Sequence, residues 1–142
     1  MSEIGQQDMQ NLAVQHREYQ QQAQSIQQQV GMLQSSIDEC KMAINTLDEL
    51  PGESELESLI PIGSGSFMNA RVLNNDKIVV DVGAGFRVEK SVEGAKEILN
   101  KRCDNLQKIM ESMNQSLSKI AERIQAIESS VAQQQQGMQS PQ

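Results

Sequence analysis

Two long stretches of the chain place mostly apolar residues at alternating intervals of three and four, without a slip. This spacing is the a/d pattern of a coiled coil, and each stretch sustains it for more than five heptads. We call these positions the seam. In the first stretch they are Met9, Leu12, His16, Tyr19, Ala23, Ile26, Val30, Leu33, Ile37, Cys40, Ile44 and Leu47. In the second stretch they are Val92, Lys96, Leu99, Cys103, Leu106, Met110, Met113, Leu117, Ile120, Ile124, Ile127 and Val131.

The segment between the two stretches changes to the short alternating pattern of β-strands. It is rich in β-branched residues, which strands prefer. Turn-forming residues divide it into four runs, at 59–62, 67–73, 78–82 and 86–90. We read these runs as four short strands that form two β-hairpins.

The chain is therefore predicted to be α+β and mainly α, a long antiparallel coiled-coil hairpin with two short β-hairpins between its helices. Pro51 followed by Gly52 should end the first helix, and Ser91 can cap the second. The predicted segments are an N-terminal helix in 1–50, a β-hairpin assembly segment in 51–90, a C-terminal helix in 91–132 and a frayed Gln-rich tail in 133–142.

The order helix, strands, helix brings the second helix back along the first. Pairing residues whose numbers add to 143 then places a positions opposite d positions throughout. Ile44 faces Leu99 and Cys40 faces Cys103 in this register. A shift by one heptad satisfies the same rule, so the sequence leaves that alternative open.

The β-hairpins carry apolar side chains that they cannot bury alone, because an isolated hairpin is marginal in water. This is the strongest argument from the sequence for oligomerisation. The predicted assembly residues are Phe67, Met68, Val72, Ile78, Val80, Val82, Phe86 and Val88.

Composition and charge exclude several functions. The net charge of −7 repels phosphate backbones, so no nucleic-acid partner is expected. No apolar run approaches the roughly 20 residues of a membrane helix, and the N-terminus does not resemble a secretory signal. We therefore expect a cytoplasmic protein without a membrane partner. Aromatic residues make up only 2% of the chain, which argues against a bulky globular core.

Candidate chemistry is sparse. The run from Gly63 to Phe67 suggests a phosphate loop but lacks the Lys-Ser/Thr ending, so a strand turn is preferred and no cofactor is expected. Cys40 and Cys103 are the two cysteines, and we interpret them as small apolar seam residues, with a redox or stabilising disulfide as the alternative. His16, the one histidine, can tune the register or, as a weaker idea, sense pH. No catalytic set and no metal site is predicted, so the chain is not expected to be an enzyme.

The pattern as a whole resembles the alpha class of prefoldin subunits. The residues that carry the resemblance are two glycine-containing strand segments at 60–67 and 78–90, spaced between two heptad arms. The resemblance implies an archaeal or eukaryotic cytosolic hexamer of two alpha and four beta subunits, and we favour an archaeal source. It also implies an ATP-independent chaperone that holds unfolded client proteins at its coiled-coil tips and passes them to a group II chaperonin.

Six apolar residues near the ends of the chain are the candidate client-binding tips. Some lie off the seam, and the others lie where fraying of the arm would open an apolar strip. These residues are Ile4, Met9, Leu12, Val14, Val131 and Met138. The alternative interpretation is that these six residues are ordinary seam and tail residues without a binding role. The resemblance favours client binding. The alternative function is a structural coiled-coil tether or adaptor without client binding.

Overall fold

The computed structural model describes residues 5–50, 55–73 and 76–139, with side chains as far as 135. Two long helices flank four strands, as the periodicity predicts. The elements are α1 (Gln6–Glu49), β1 (Leu56–Gly63), β2 (Ser66–Val72), β3 (Ile78–Gly83), β4 (Phe86–Lys90) and α2 (Val92–Gln139). The predicted fold class is confirmed.

Burial follows the seam in both helices. Every seam residue of α1 and of α2 is buried or half-buried. In α1 every other residue except Ala43 is exposed. The narrow apolar stripe of α1 is what a coiled coil requires, because each helix covers only the seam of the other. The start of α2 also buries residues off the seam, such as Ala95 and Ile98, because the second hairpin packs there.

The chain divides into two compact units. The terminal unit comprises Met1–Ser36 and Leu106–Gln142, and the hairpin unit comprises Ile37–Asn105. Each unit therefore contains a segment of α1, a segment of α2 and its own helix-to-helix contacts.

Contacts within each unit fix the register. In the terminal unit Nε2 of His16 lies 3.0 Å from Oε1 of Glu128, two residues whose numbers add to 144. In the hairpin unit Nζ of Lys96 lies 2.7 Å from the carboxylate of Asp48, a pair that also adds to 144. A one-heptad shift would move these sums by seven. Glu128 and Asp48 each directly follow the seam residue, Ile127 or Leu47, whose number adds to 143 with that of His16 or Lys96. The contacts therefore agree with the register in which facing seam residues add to 143, and not with one shifted by a heptad.

The start of α2 is capped as predicted. Oγ of Ser91 accepts a hydrogen bond from the backbone N–H of Gly94 at 3.0 Å, which satisfies one of the free donors of the first turn. The Asp76 carboxylate accepts a second one, from the N–H of Val92 at 2.7 Å. Two side chains thus hold the point where the β-segment passes into the helix.

The ends of the helices differ in part from the prediction. α1 ends at Glu49, and the predicted stop at Pro51 and Gly52 lies outside the described residues. α2 passes the predicted end at 132 and continues to Gln139. The tail predicted to fray is therefore helical from 133 to 139, because Gln has a good helix propensity and extends a helix that is already nucleated.

Both hairpins close through the same turn. β1 pairs antiparallel with β2, and β3 pairs antiparallel with β4. The two central turn residues have positive φ in each case, Ser64 and Gly65 in the first turn and Ala84 and Gly85 in the second. Positive φ at both positions marks a type I′ turn, whose twist matches that of the flanking strands.

Candidate functional site: two apolar surfaces

A small core joins the second hairpin to the helices of the hairpin unit. Its buried members are Leu47 of α1, Val80 of β3, and Ala95 and Leu99 of α2. Val80 is only 6% exposed. A residue that is buried within its own chain cannot also present a face to a partner, so Val80 belongs to the core rather than to an assembly surface.

Two more of the predicted assembly residues pack on the same core. Ile78 of β3 and Val88 of β4 are half-buried against it. Val88 is the cross-strand partner of Val80, so both side chains lie on the face of the hairpin that points to the helices. The alternation of the strands indicates a common face but not whether that face is turned inward or outward.

The other five predicted assembly residues are exposed. Phe67 is 58% exposed and Phe86 is 70% exposed, although both are large and apolar. These five residues and six further exposed apolar residues of the strand segment form what we call the hairpin surface. Its members are Leu56, Leu59, Ile60, Ile62, Phe67, Met68, Val72, Leu73, Val79, Val82 and Phe86.

Six residues of the hairpin surface were not among the predicted assembly residues. Most of them lie in or beside the first hairpin, where residues 59–62 form an apolar run interrupted by a proline. Consecutive apolar residues in a strand point to both of its faces. That run was therefore the signal in the sequence that both faces of the first hairpin are apolar.

Each hairpin also makes polar contacts, within the first hairpin and between the second hairpin and α2. The guanidinium of Arg71 lies 3.4 Å from the carboxylate of Glu55 and 3.8 Å from that of Glu57. The guanidinium of Arg102, on α2, donates to the backbone carbonyl of Asp81. The second hairpin is thus bound to α2 by a hydrogen bond as well as by the apolar core.

The terminal unit contains an open apolar groove between α1 and α2, with a volume of about 580 Å³, which we call the terminal groove. Met9, Leu12 and Val131, three of the predicted tip residues, line it together. Ile127, Arg17 and the His16–Glu128 pair also line it, although the sequence did not single them out as tip residues. Because α1 begins where α2 ends, residues from opposite ends of the chain meet here.

The remaining predicted tip residues are placed differently. Val14 is exposed, at 53%, on the side of α1 away from the seam and does not line the groove. Ile4 and the side chain of Met138 lie outside the described residues. The structure therefore brings three of the six predicted tip residues into one groove.

The described residues present no cluster of three or more His, Cys, Asp or Glu side chains that could hold a metal ion. Among the helices of residues 6–49 and 92–139, none carries an apolar stretch long enough to cross a membrane. The hairpin surface and the terminal groove both expose apolar side chains, and exposed apolar area of this kind marks interaction sites.

Comparisons with known proteins agree with this architecture. A family model described as "Prefoldin subunit" matches residues 19–137. The prefoldin subunit alpha of Methanococcoides burtonii is 50% identical over 109 residues, which cover 76% of this chain and 79% of that protein. The prefoldin subunit alpha of Methanosarcina mazei is 45% identical over 112 residues, which cover 76% of this chain and 78% of the relative.

Solved structures show the same fold. A chain of the filamentous prefoldin of Methanocaldococcus jannaschii superposes with a TM-score of 0.69 at 25% identity and covers 84% of this chain and 98% of its own. The prefoldin beta subunit of Thermococcus strain KS-1 superposes with a TM-score of 0.67 at 21% identity and covers 99% of this chain and 100% of its own.

Proposed function

The chain belongs to the prefoldin family, whose members are chaperone subunits and whose alpha subunits it resembles over most of its length, and from this we propose that it is an ATP-independent holdase subunit. It binds non-native proteins at the terminal groove and delivers them to a group II chaperonin. It works in the cytoplasm, in a hexamer of two alpha and four beta prefoldin subunits.

The terminal groove is the observation that carries the proposal. An unfolded chain exposes apolar side chains that are scattered along its sequence, and it offers no fixed shape to recognise. The groove is lined by Met9 and other flexible or branched apolar residues, and it is open to solvent. Methionine adapts to partners of different shape, as a chaperone that accepts many clients requires.

The hairpin surface supports the assembly part of the proposal. Two-stranded sheets with exposed residues such as Ile60, Phe67 and Phe86 need another sheet to cover them. Joining several subunits through this surface brings several terminal grooves into one particle. Weak contacts at each groove then act together, because linked sites gain effective concentration.

The test compares two double variants in complex with a prefoldin beta subunit. Met9→Ser with Val131→Ser removes apolar lining from the groove, whereas Met32→Ser with Met42→Ser removes exposed methionines that lie elsewhere on α1. Each complex is mixed with a denatured protein without nucleotide, and light scattering follows its aggregation. We expect the groove variant to lose most of its protection and the control to keep it.

Native mass and helix content of both variants are measured first, to establish that assembly is intact. Equal protection by the two variants would contradict client binding at the groove. A wild-type complex without any protection would favour the structural tether. Delivery of the client to the chaperonin is tested separately. A group II chaperonin is added to the complex that holds a labelled client, and sedimentation shows whether the label moves to the chaperonin.

A further inference from the structure

Cys40 of α1 and Cys103 of α2 are the two cysteines of the chain, and both lie on the seam of the hairpin unit. Each is 6% exposed, and both are free thiols. Their numbers add to 143, the sum that the structure selects. They therefore occupy the same layer of the coiled coil, one on each helix.

Neighbouring contacts support this pairing. One helical turn along α1, Ile44 packs against the cluster that contains its predicted partner Leu99. One turn further, Nζ of Lys96 lies 2.7 Å from the carboxylate of Asp48. The layers on this side of the two cysteines are thus in the register that makes Cys40 face Cys103.

The electrostatics of the thiols point to the same arrangement. Burial raises the pKa of the Cys40 thiol above its ordinary value, the Arg102 guanidinium partly lowers it, and Cys103 raises it further. Cys103 can influence the charge state of Cys40 only if the two sulfur atoms are near each other. Two facing thiols in one layer also leave more room than two leucines would, which lets the helices approach.

We propose that Cys40 and Cys103 are a redox-modification site, at which a small peroxide oxidises the two thiols to an intramolecular disulfide that ties α1 to α2. This latch holds the helix pair closed where it leaves the hairpins, and a reducing thiol opens it again. It is separate from the terminal groove and does not depend on whether the chain binds non-native proteins.

The chemistry balances with hydrogen peroxide as the oxidant. A thiolate sulfur attacks one peroxide oxygen, so that an S–O bond forms, the O–O bond breaks and hydroxide leaves, taking up the proton from the thiol as water. The sulfenic acid is then attacked by the second sulfur. An S–S bond forms, the S–O bond breaks and a second water leaves. Two thiols lose two electrons and two protons, and one peroxide is reduced to two waters.

Burial sets the selectivity and the pace of this reaction. A seam position that is almost closed to solvent admits a peroxide more readily than a bulky disulfide or an alkylating reagent. The raised pKa of Cys40 keeps the reactive thiolate scarce near neutral pH. The latch therefore closes slowly, and its rate increases as the pH rises towards the pKa of the thiol.

The experiment treats the folded, reduced full-length chain with hydrogen peroxide and then alkylates it in denaturant. We expect a mass lower by two hydrogen atoms, no alkyl label, and a tryptic peptide 18–41 joined to peptide 103–108. The thermal midpoint should rise by about 10 °C, because the bond closes a long loop, and dithiothreitol should reverse the rise.

A displaced cysteine provides the matched control. Cys40→Ser with Met42→Cys keeps one thiol in each helix but moves the first to a position that is 67% exposed and lies on the far side of α1. It should form the intramolecular bond at least tenfold more slowly. Three outcomes would each overturn the latch. They are equal rates of intramolecular disulfide formation in wild type and control, disulfides between chains, and sulfonic acids without a crosslink.

Discussion

Nε2 of His16 in α1 and Oε1 of Glu128 in α2 lie 3.0 Å apart and join the two helices across the seam. The imidazole is half-buried in a layer where a coiled coil normally carries apolar residues. Lys96, the charged residue of the seam in α2, likewise reaches a carboxylate of the other helix, that of Asp48 at 2.7 Å. Each of these polar seam residues is thus satisfied by an acid on the opposite helix, and both pairs are made only in the observed register.

Replacing His16 by leucine should stabilise the pair of helices, but it removes a contact that is made only in the observed register. His16→Leu adds an apolar layer and leaves Glu128 exposed to water, so we expect the free energy of unfolding to rise by about 1 kcal/mol. Unfolding in urea, monitored by circular dichroism, measures this free energy. Glu128→Gln is the control and should change the free energy by less than about 0.5 kcal/mol, because the carboxylate is exposed. A loss of stability in His16→Leu would show that the pair contributes more than an apolar layer.

The Lys96–Asp48 pair should make the protein slightly less stable at alkaline pH. The hydrogen bond to the Asp48 carboxylate raises the pKa of Lys96 above its ordinary value of 10.5. The protonated lysine is therefore favoured in the folded state, and its contribution to stability is present below pH 10.5 and is lost as the pH rises through the raised pKa.

NMR titration of the Lys96 side chain measures this pKa directly. Asp48→Asn should lower the midpoint, whereas Glu93→Gln should have a smaller effect, because the Glu93 carboxylate is 3.6 Å from Nζ. A midpoint that is the same in wild type and in Asp48→Asn would contradict the assignment.

Substitutions in the second hairpin should separate folding from assembly. Val80→Ala opens a cavity beside Leu99 in the small core, so we expect unfolding to become easier by about 2 kcal/mol. Phe86→Ala should change the stability of the isolated chain by less than about 0.5 kcal/mol, because Phe86 is exposed. Thermal and urea unfolding of the chain without partners provide the comparison. A similar loss in both variants would mean that the second hairpin packs differently.

The hairpin surface should be required for assembly. Phe86→Asp places a charge where a partner sheet would pack, so complexes with a beta subunit should dissociate while the helix content of the chain stays the same. Native mass spectrometry measures the assembly. Met42→Asp is the control, because Met42 is equally apolar and exposed but lies outside the strands. If Phe86→Asp assembles as wild type does, the partner surface lies elsewhere.

Two glycines should respond to alanine in opposite directions. A Cβ at Gly31, inside α1, would meet nothing within 4 Å, so Gly31→Ala should stabilise the helix by about 1 kcal/mol. A Cβ at Gly85 also meets nothing, but its φ is +81°, which costs an L residue about 1–2 kcal/mol. Thermal unfolding of the two variants tests this difference, and a rise in stability for both would exclude the type I′ turn.

The sequence by itself determined the helices, their seam and the presence of two hairpins. These features depend on local patterns: a seven-residue spacing selects a helix with one apolar stripe, and residues such as Ser91 act on the neighbouring turn alone. The Gly-rich turns are local in the same sense. The helices and hairpins could therefore be predicted from local sequence patterns along the chain.

The tertiary structure decided the register, the inward face of the second hairpin and the terminal groove. Ile44 could face Leu99 or a residue one heptad away, because both arrangements bury the same kind of side chain. The alternation of β3 does not distinguish a face that meets a helix from one that meets a partner, so Val80 was assigned to the surface although it is in the core. Met9 and Val131 line one groove because α1 and α2 run antiparallel in that register, and such contacts between distant parts of the chain depend on which helix face meets which.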